Sequence, residues 1–409
     1  MYSELAIFVV FAFLYSAVAG RLERSPVSGP VVFILGGLIL GPVGLGWLDF
    51  EISETELRLL ADLTLALVLF IDAANVNMKV LVRNMGLPQR MLLFGLPGVI
   101  LLGIGTGMLL FGDLGFYTVA TLAVMLAATD AALGKAVVTN KLVPPRVREG
   151  LNAESGLNDG ICVPILFVFI ALATQGGKVE GGGTALALKL FIQELGIGLL
   201  VGLGMAAAGA WLLDVASKRG WITNIWIQVP VITLALGAFA VAQTLHGSGY
   251  IAAFVGGLLF GRLAGHLTHD LVLPAEGAAE LLGMLTWVAF GAAALPQVLE
   301  HFTWEVMVYA LLSLTVVRVL PIYISLVGTG ERIETRLFMA WFGPRGLASI
   351  AFVVIAWNKG LPGADKLVVV VFCTVFLSAL AHGLTANPFS KALATRLQGD
   401  DGEASQPGR

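Results

Sequence analysis

The chain is short of charge, of cysteine and of a basic leader. Only 12% of its 409 residues are charged, where a soluble domain carries roughly a quarter. That excludes an ordinary water-soluble globule. The net charge of −3 says little about partners, because most of such a surface would face lipid; no nucleic-acid partner is expected. The two cysteines, Cys162 and Cys373, both lie inside apolar runs and read as small hydrophobes, not as a disulfide or a metal pair. Before the first apolar run stands Met1-Tyr2-Ser3-Glu4, with an acid and no Lys or Arg. A cleavable leader opens on basic residues, so this run is expected to stay as a span. The tail after Pro388 is expected to be too short for a regulatory domain.

What is abundant is apolar: 57% hydrophobic residues, 50 Gly and a mean hydropathy of +0.90. The fold class predicted is an all-α polytopic membrane protein. Thirteen runs are long enough to cross roughly 30 Å of hydrocarbon, for which about 20 helical residues are needed. They fall at 3–20, 27–46, 56–76, 90–112, 115–140, 150–174, 184–214, 223–245, 248–265, 276–299, 303–327, 331–358 and 365–388. Loops after odd-numbered runs, with the tail, carry 16 Lys and Arg, and loops after even-numbered runs carry 5. Basic residues collect on the cytoplasmic side, which predicts a cell (inner) membrane protein with its N-terminus outside and its C-terminus cytoplasmic. The glycine-rich pieces Gly36-Gly37, Gly202 to Gly204 and Gly256-Gly257 lie in apolar runs with no strand before them. They read as close helix packing rather than nucleotide binding.

Polar residues inside the runs are few and concentrated. Asn152-Ala153-Glu154-Ser155-Gly156-Leu157-Asn158-Asp159-Gly160 sets two carboxylates, two carboxamides and a hydroxyl at the start of the sixth run. Carboxylates at bilayer depth are expensive and mark function by default. On a helix Asn152, Ser155 and Asp159 share one face, and Glu154 lies against Asn158 on the next. Thr129-Asp130 sits in the middle of the fifth run, and Phe342-Gly343-Pro344-Arg345-Gly346 interrupts the twelfth, where proline removes a backbone donor and glycines loosen the helix. Both helices are predicted to be discontinuous. Seven runs apart, they cross in opposite directions, as an inverted repeat of runs 1–6 and 8–13 around a midplane ion site would require.

Thr129-Asp130, Glu154 to Gly160 and Gly343-Pro344-Arg345-Gly346 together resemble the motifs of monovalent cation/proton antiporters, specifically the electroneutral branch of NhaP-type proteins related to the mammalian sodium/proton exchangers. The resemblance covers the full chain. It implies crossed discontinuous helices, a homodimer in membrane lipid, no cofactor, and exchange of Na+ (possibly Li+ or K+) for H+. The Asn158-Asp159 pair implies one cation for one proton, since the electrogenic branch has two aspartates there. Ala131 departs from the pattern, as many members have proline after Thr-Asp, and so does Gly156, where a bulkier residue often stands.

Hard monovalent ions prefer carboxylate, carbonyl and hydroxyl oxygen. Asp159, Asp130, Thr129 and Ser155 supply that set, and cation and proton are expected to compete for Asp159. Asp130 either touches the cation or neutralises half-helix ends; Thr129 and Ser155 either ligate or bond a neighbouring carbonyl. Glu154 and Arg345 are expected to form a buried ion pair that, by the resemblance, holds Asn158. Arg318 matches a basic residue that compensates core acids, and Asp72 an acid facing the cytoplasmic funnel; Asp62 reads as a funnel or interface acid. Lys135 should snorkel to water, and His266 and His269 read as solvated loop residues. The expected organisation is one transporter unit, 1–388, with a scaffold and dimer part near 1–89 and 180–300, an ion-translocating core near 90–178 and 303–388, and a cytoplasmic tail, 389–409. A K+/H+ antiporter, a cation channel or sodium-coupled solute transporter, and an intramembrane aspartyl protease are the competing readings. The protease is disfavoured because no Tyr-Asp occurs and Gly112-Asp113 falls in a loop.

Overall fold

A computed structural model describes residues 2–22, 29–48, 54–76, 86–175, 183–223, 225–265 and 268–403. The side chains of Lys135 and His269, all of His266, and Arg24, Lys79, Arg83, Lys178 and Arg409 of the basic-residue pattern lie outside the described residues. The described residues are helical, with turns between helices and no strand. In chain order the helices are α1 (Tyr2–Leu22), α2 (Gly29–Leu40), α3 (Glu54–Asn75), α4 (Gly86–Leu110), α5 (Phe116–Met125), α6 (Ala131–Val138), α7 (Pro145–Gln175), α8 (Gly183–Lys218), α9 (Pro230–Thr244), α10 (Gly249–Ala264), α11 (Thr268–His301), α12 (Trp304–Ser325), α13 (Ile333–Trp341), α14 (Leu347–Asn358) and α15 (Ala364–Glu403). Helix occupies each of the thirteen predicted runs, and among the described residues eight helices are long and apolar enough to cross a membrane unaided.

The fifth and twelfth runs are each split, into α5 and α6 and into α13 and α14, by irregular backbone at 126–130 and 342–346. Two irregularities carried no sequence expectation. A π-helical turn, Met91–Gly95, lies within α4, and α12 bends at Thr315, where φ is −105° and ψ −93°. At the other end of the chain α15 runs on to Glu403 through Pro388, so the segment expected as a tail begins as a continuation of the last helix. Ser390 and Leu393 are buried there, and packing of that face outweighs the one hydrogen bond that proline removes.

Small residues set the helix spacing. A side chain at Gly37 would meet the Val288 carbonyl of α11 at 2.2 Å, one at Gly257 the Phe70 carbonyl of α3 at 2.3 Å, and one at Gly202 the Ala252 carbonyl of α10 at 2.5 Å. Gly204, by contrast, faces open space. Backbones this close leave no room for Cβ, the packing mode that membrane helices use when apolar burial no longer drives association. Gly257→Val should therefore lower the thermal unfolding temperature in detergent, by a cost of about 1–3 kcal/mol for overpacking. Gly204→Ala should leave it unchanged.

Away from the core, Lys366 at the start of α15 donates to both oxygens of Asp113 at 2.8 and 3.0 Å, tying the α4–α5 turn to α15. The lysine's hydrogen bonds hold the Asp113 carboxyl below its ordinary value of 3.8. A carboxylate held low adds stability that is fully present above its unfolded value and is lost as pH falls through the folded one. Lys366→Met should raise the Asp113 midpoint toward 3.8 in a carboxyl NMR titration, with little change in thermal stability because the pair is solvated.

Candidate ion-binding site

The two helix breaks meet. Asp130 donates its backbone N–H to the Pro344 carbonyl at 2.8 Å, accepts the Leu133 N–H on Oδ1 at 3.0 Å, and accepts the Leu347 N–H on Oδ2 at 2.7 Å. One carboxylate thus caps the N-termini of both α6 and α14, where unpaired N–H groups and the helix dipole favour negative charge. The approach is possible only because of glycine: a Cβ at Gly346 would stand 1.8 Å from Asp130 Oδ2.

The opposite helix ends receive cationic or N–H donors. Arg345 Nη1 donates to the carbonyls of Ala127, Ala128 and Gly343, each at 3.3 Å, and the side chain is fully buried. The expected ion pair of Arg345 with Glu154 is therefore corrected. Glu154 is paired with Arg318 through both oxygens, at 2.8 and 3.2 Å, with each side chain 1% exposed. The reason is geometric. A Cβ at Gly343 would lie 2.3 Å from the Arg318 guanidinium, so α12 presses Arg318 into the break, while Arg345 turns to the carbonyls that unwinding frees.

Asn158 fastens the unwound 127–129 segment to α7. Its amide nitrogen donates toward the Ala127 carbonyl, Thr129 Oγ1 and Glu154 Oε1, each at 3.1 Å, and its oxygen accepts from Cys162 Sγ at 3.2 Å. Ser155 Oγ donates to the Thr129 carbonyl at 3.0 Å, and the Thr129 N–H donates to Asp159 Oδ1 at 3.1 Å. Among the described residues Asp159 Oδ2 has no hydrogen-bond partner. A cavity of 20 Å³ opens beside Thr129, Asp130, Asn152, Glu154 and Ser155, room for one particle the size of a water; Asp159 is not in its lining. Asp72, half-buried on α3, packs with its carbonyl 3.3 Å from where a Cβ on Gly156 would be, so a glycine there lets α3 and α7 touch.

The structure thus gathers Thr129, Asp130, Glu154, Ser155, Asn158, Asp159, Arg318 and Arg345 at one place, with Asp72 adjoining. Asp62 stands apart from them, accepting a hydrogen bond from Tyr250. His382 and Ser378 on α15 belong to the site and carried no sequence expectation. Arg345 N–H donates to Ser378 Oγ at 2.7 Å; Ser378 Oγ lies 3.1 Å from His382 Nδ1, and His382 Nε2 reaches the Trp341 carbonyl at the end of α13 at 3.0 Å. A histidine within an apolar run, one turn after a serine, was the available signal.

Discontinuous helices joined at a buried, oxygen-rich and mostly charge-balanced centre define a membrane transporter of the broken-helix type. Comparison with known proteins narrows the class. Residues 8–392 match the family model described as "Sodium/hydrogen exchanger, transmembrane", and the chain belongs to that family. It is 26% identical over 277 residues to the K(+)/H(+) antiporter NhaP2 of Shewanella oneidensis, covering 67% of this chain and 47% of that protein. With the Na(+)/H(+) antiporter NhaS2 of Synechocystis sp. it shares 30% identity over 307 residues, 71% of this chain and 54% of that protein. The chain thus spans about half the length of these two curated relatives. In fold it resembles the sodium proton antiporter MjNhaP1 from Methanocaldococcus jannaschii at pH 8, with a TM-score of 0.75 at 21% identity over 96% of this chain and 99% of that one.

The buried pair yields a stability test. Removing one partner of a buried ion pair costs about 3–5 kcal/mol, whereas replacing both with apolar groups is often close to neutral. Arg318→Met and Glu154→Leu should each lower the unfolding temperature in detergent strongly. The double variant should recover part of the loss.

Proposed function

We propose that the chain exchanges Na+ or Li+ for H+ across the cell membrane, one for one and without net charge movement, by alternating access. The observation that carries this reading is the state of Asp159. Glu154 is neutralised by Arg318, and both Asp130 oxygens are taken by helix N-termini. Among the described residues Asp159 accepts one hydrogen bond, which leaves an oxygen for an ion. Bound to a cation or to a proton, the site carries the same charge, and competition for one carboxylate suffices for exchange if the empty, charged site does not cross. In this reading Ser155 Oγ and the Thr129 carbonyl or hydroxyl complete the cation's shell, Asp130 fixes the breaks, Asn158 holds the unwound backbone, and Asp72 collects ions on the cytoplasmic side.

The remaining assignments follow from the same scheme. The moving core comprises α4 to α7 and α12 to α15, which hold the charge network. The scaffold comprises α1 to α3 and α8 to α11, whose packing of α10 on α3 and α8 and of α11 on α2 and α3 supports a rigid frame. Two such chains form a homodimer in lipid, with N-termini outside and C-termini cytoplasmic, and the chain is a transporter and not an enzyme. A second reading, K+/H+ exchange, is favoured by the relatives named K(+)/H(+) antiporters.

Proteoliposomes loaded with a proton-sensitive dye test the proposal. Adding Na+ should restore the dye signal irrespective of membrane potential, and a larger response to K+ than to Na+ would select the second reading. Asp159→Asn should abolish exchange while the protein remains monodisperse. Native-rate exchange in that variant would falsify the assignment of Asp159.

A further inference from the structure

A second cavity lies beyond Asp159 from the first. It has a volume of 160 Å³ and is lined by the polar side chains of Glu194, Gln243, His246, Ser248, Tyr250 and Lys359. Along α7 the first cavity takes Asn152 and Ser155 and the second takes Phe167, with Asp159 between them in the chain. Past the twelfth-run break the order repeats, with Gly343 and Pro344 at the first cavity and Ile355 and Lys359 at the second. The rim is firmly built. His246 takes a left-handed backbone conformation (φ 59°), and a Cβ on Gly247 would lie 2.5 Å from the Ile197 side chain.

Two aromatic side chains of α10, Tyr250 in the cavity lining and Phe254 against residue 160, stand between this cavity and the ion site in chain order. The Tyr250 ring stacks on Phe167 at 6.0 Å and meets Phe239 edge-on at 5.2 Å, while its hydroxyl donates to the buried carboxylate of Asp62. One turn deeper on α10, Phe254 fills the space beside residue 160: a Cβ there would stand 2.2 Å from the ring. Residue 160 directly follows Asp159. Asp62 is a buried acid that the exchange site does not use, and on α3 it precedes Asp72 by about 15 Å of helix. A tyrosine in the lining of a polar cavity, donating to a buried carboxylate behind it and on the far side of the ion site from the first opening, is placed as a latch.

We infer that the second cavity is the other mouth of the transport path and that the Tyr250 ring, anchored to Asp62 and with Phe254 behind it, closes that mouth. This rests on the exchange reading above. The basic-residue pattern predicts this mouth to face outside. If the bond holds one of two conformations closed, weakening it raises the share of the form open to the second cavity, and apparent affinity on each side follows that share.

The test uses the full chain in sided membrane vesicles, with the KM for Na+ measured separately from each face. Tyr250→Phe keeps the ring packing and removes only the donor. It should lower KM on the second-cavity side about threefold to tenfold, the effect of one hydrogen bond, and raise it on the other side. Asp62→Ala should do the same. Because both remove the Tyr250–Asp62 bond, the double variant should shift KM by less than the sum of the two singles. An unchanged ratio of the two KM values in Tyr250→Phe, an equal shift on both faces, or fully additive effects in the double variant would overturn the inference. Should Asp62→Ala not fold, Tyr250→Phe alone decides. Absence of exchange in the wild type, or its persistence in Asp159→Asn, would instead sink the exchange reading itself.

Discussion

One buried carboxylate holds the centre of this molecule together. Asp130 accepts an N–H from the first turn of each of two half-helices and donates its own N–H to the loop of the other break. Interrupting a helix inside hydrocarbon strands polar backbone groups that water cannot reach, each costing several kcal/mol if left alone. Two interruptions are sustainable because each supplies what the other lacks. The requirement fixes the relative position of the breaks to within a hydrogen bond's length, and every other group in the site is placed against that frame.

Each broken end then has its complement. The N-termini of α6 and α14 share Asp130, the carbonyls after α5 take Arg345, and the last carbonyl of α13 takes His382. Glu154 and Arg318 cancel within the same volume. What remains after these pairings is Asp159, held by one backbone N–H. A transport site needs one group whose charge is free to change while its surroundings stay put, and this arrangement leaves one such group at the junction.

Much of this was legible from residue order alone. Pro344 between two glycines, and Thr129-Asp130 after a long apolar stretch, are local signals of broken helix. The placement of Ser155 and Asp159 on one face follows from helical period. The pairing of the two buried arginines was not legible, because Arg318 and Arg345 are both within reach of an acid on a third helix. Only the close approach of α12 at Gly343 decides between them. His382 was passed over because Ser378, one turn before it, reads as an ordinary helix hydroxyl; what ties the two to the site, Trp341 for His382 and Arg345 for Ser378, is more than thirty residues away in sequence. Helix beyond Pro388 escaped notice for the opposite reason: a strong local rule, that proline ends helices, yields to burial of Ser390 and Leu393.

The carboxamide at position 158 has a consequence for which side chains the site accepts there. Its nitrogen faces three oxygens, those of Ala127, Thr129 and Glu154. An acid in its place would present lone pairs to the Ala127 carbonyl and the Glu154 carboxylate, leaving only the Thr129 hydroxyl able to turn and donate to it. Position 158 is therefore tied to the donor requirement of the unwound backbone, and an acid there demands new donors in the wall of the site.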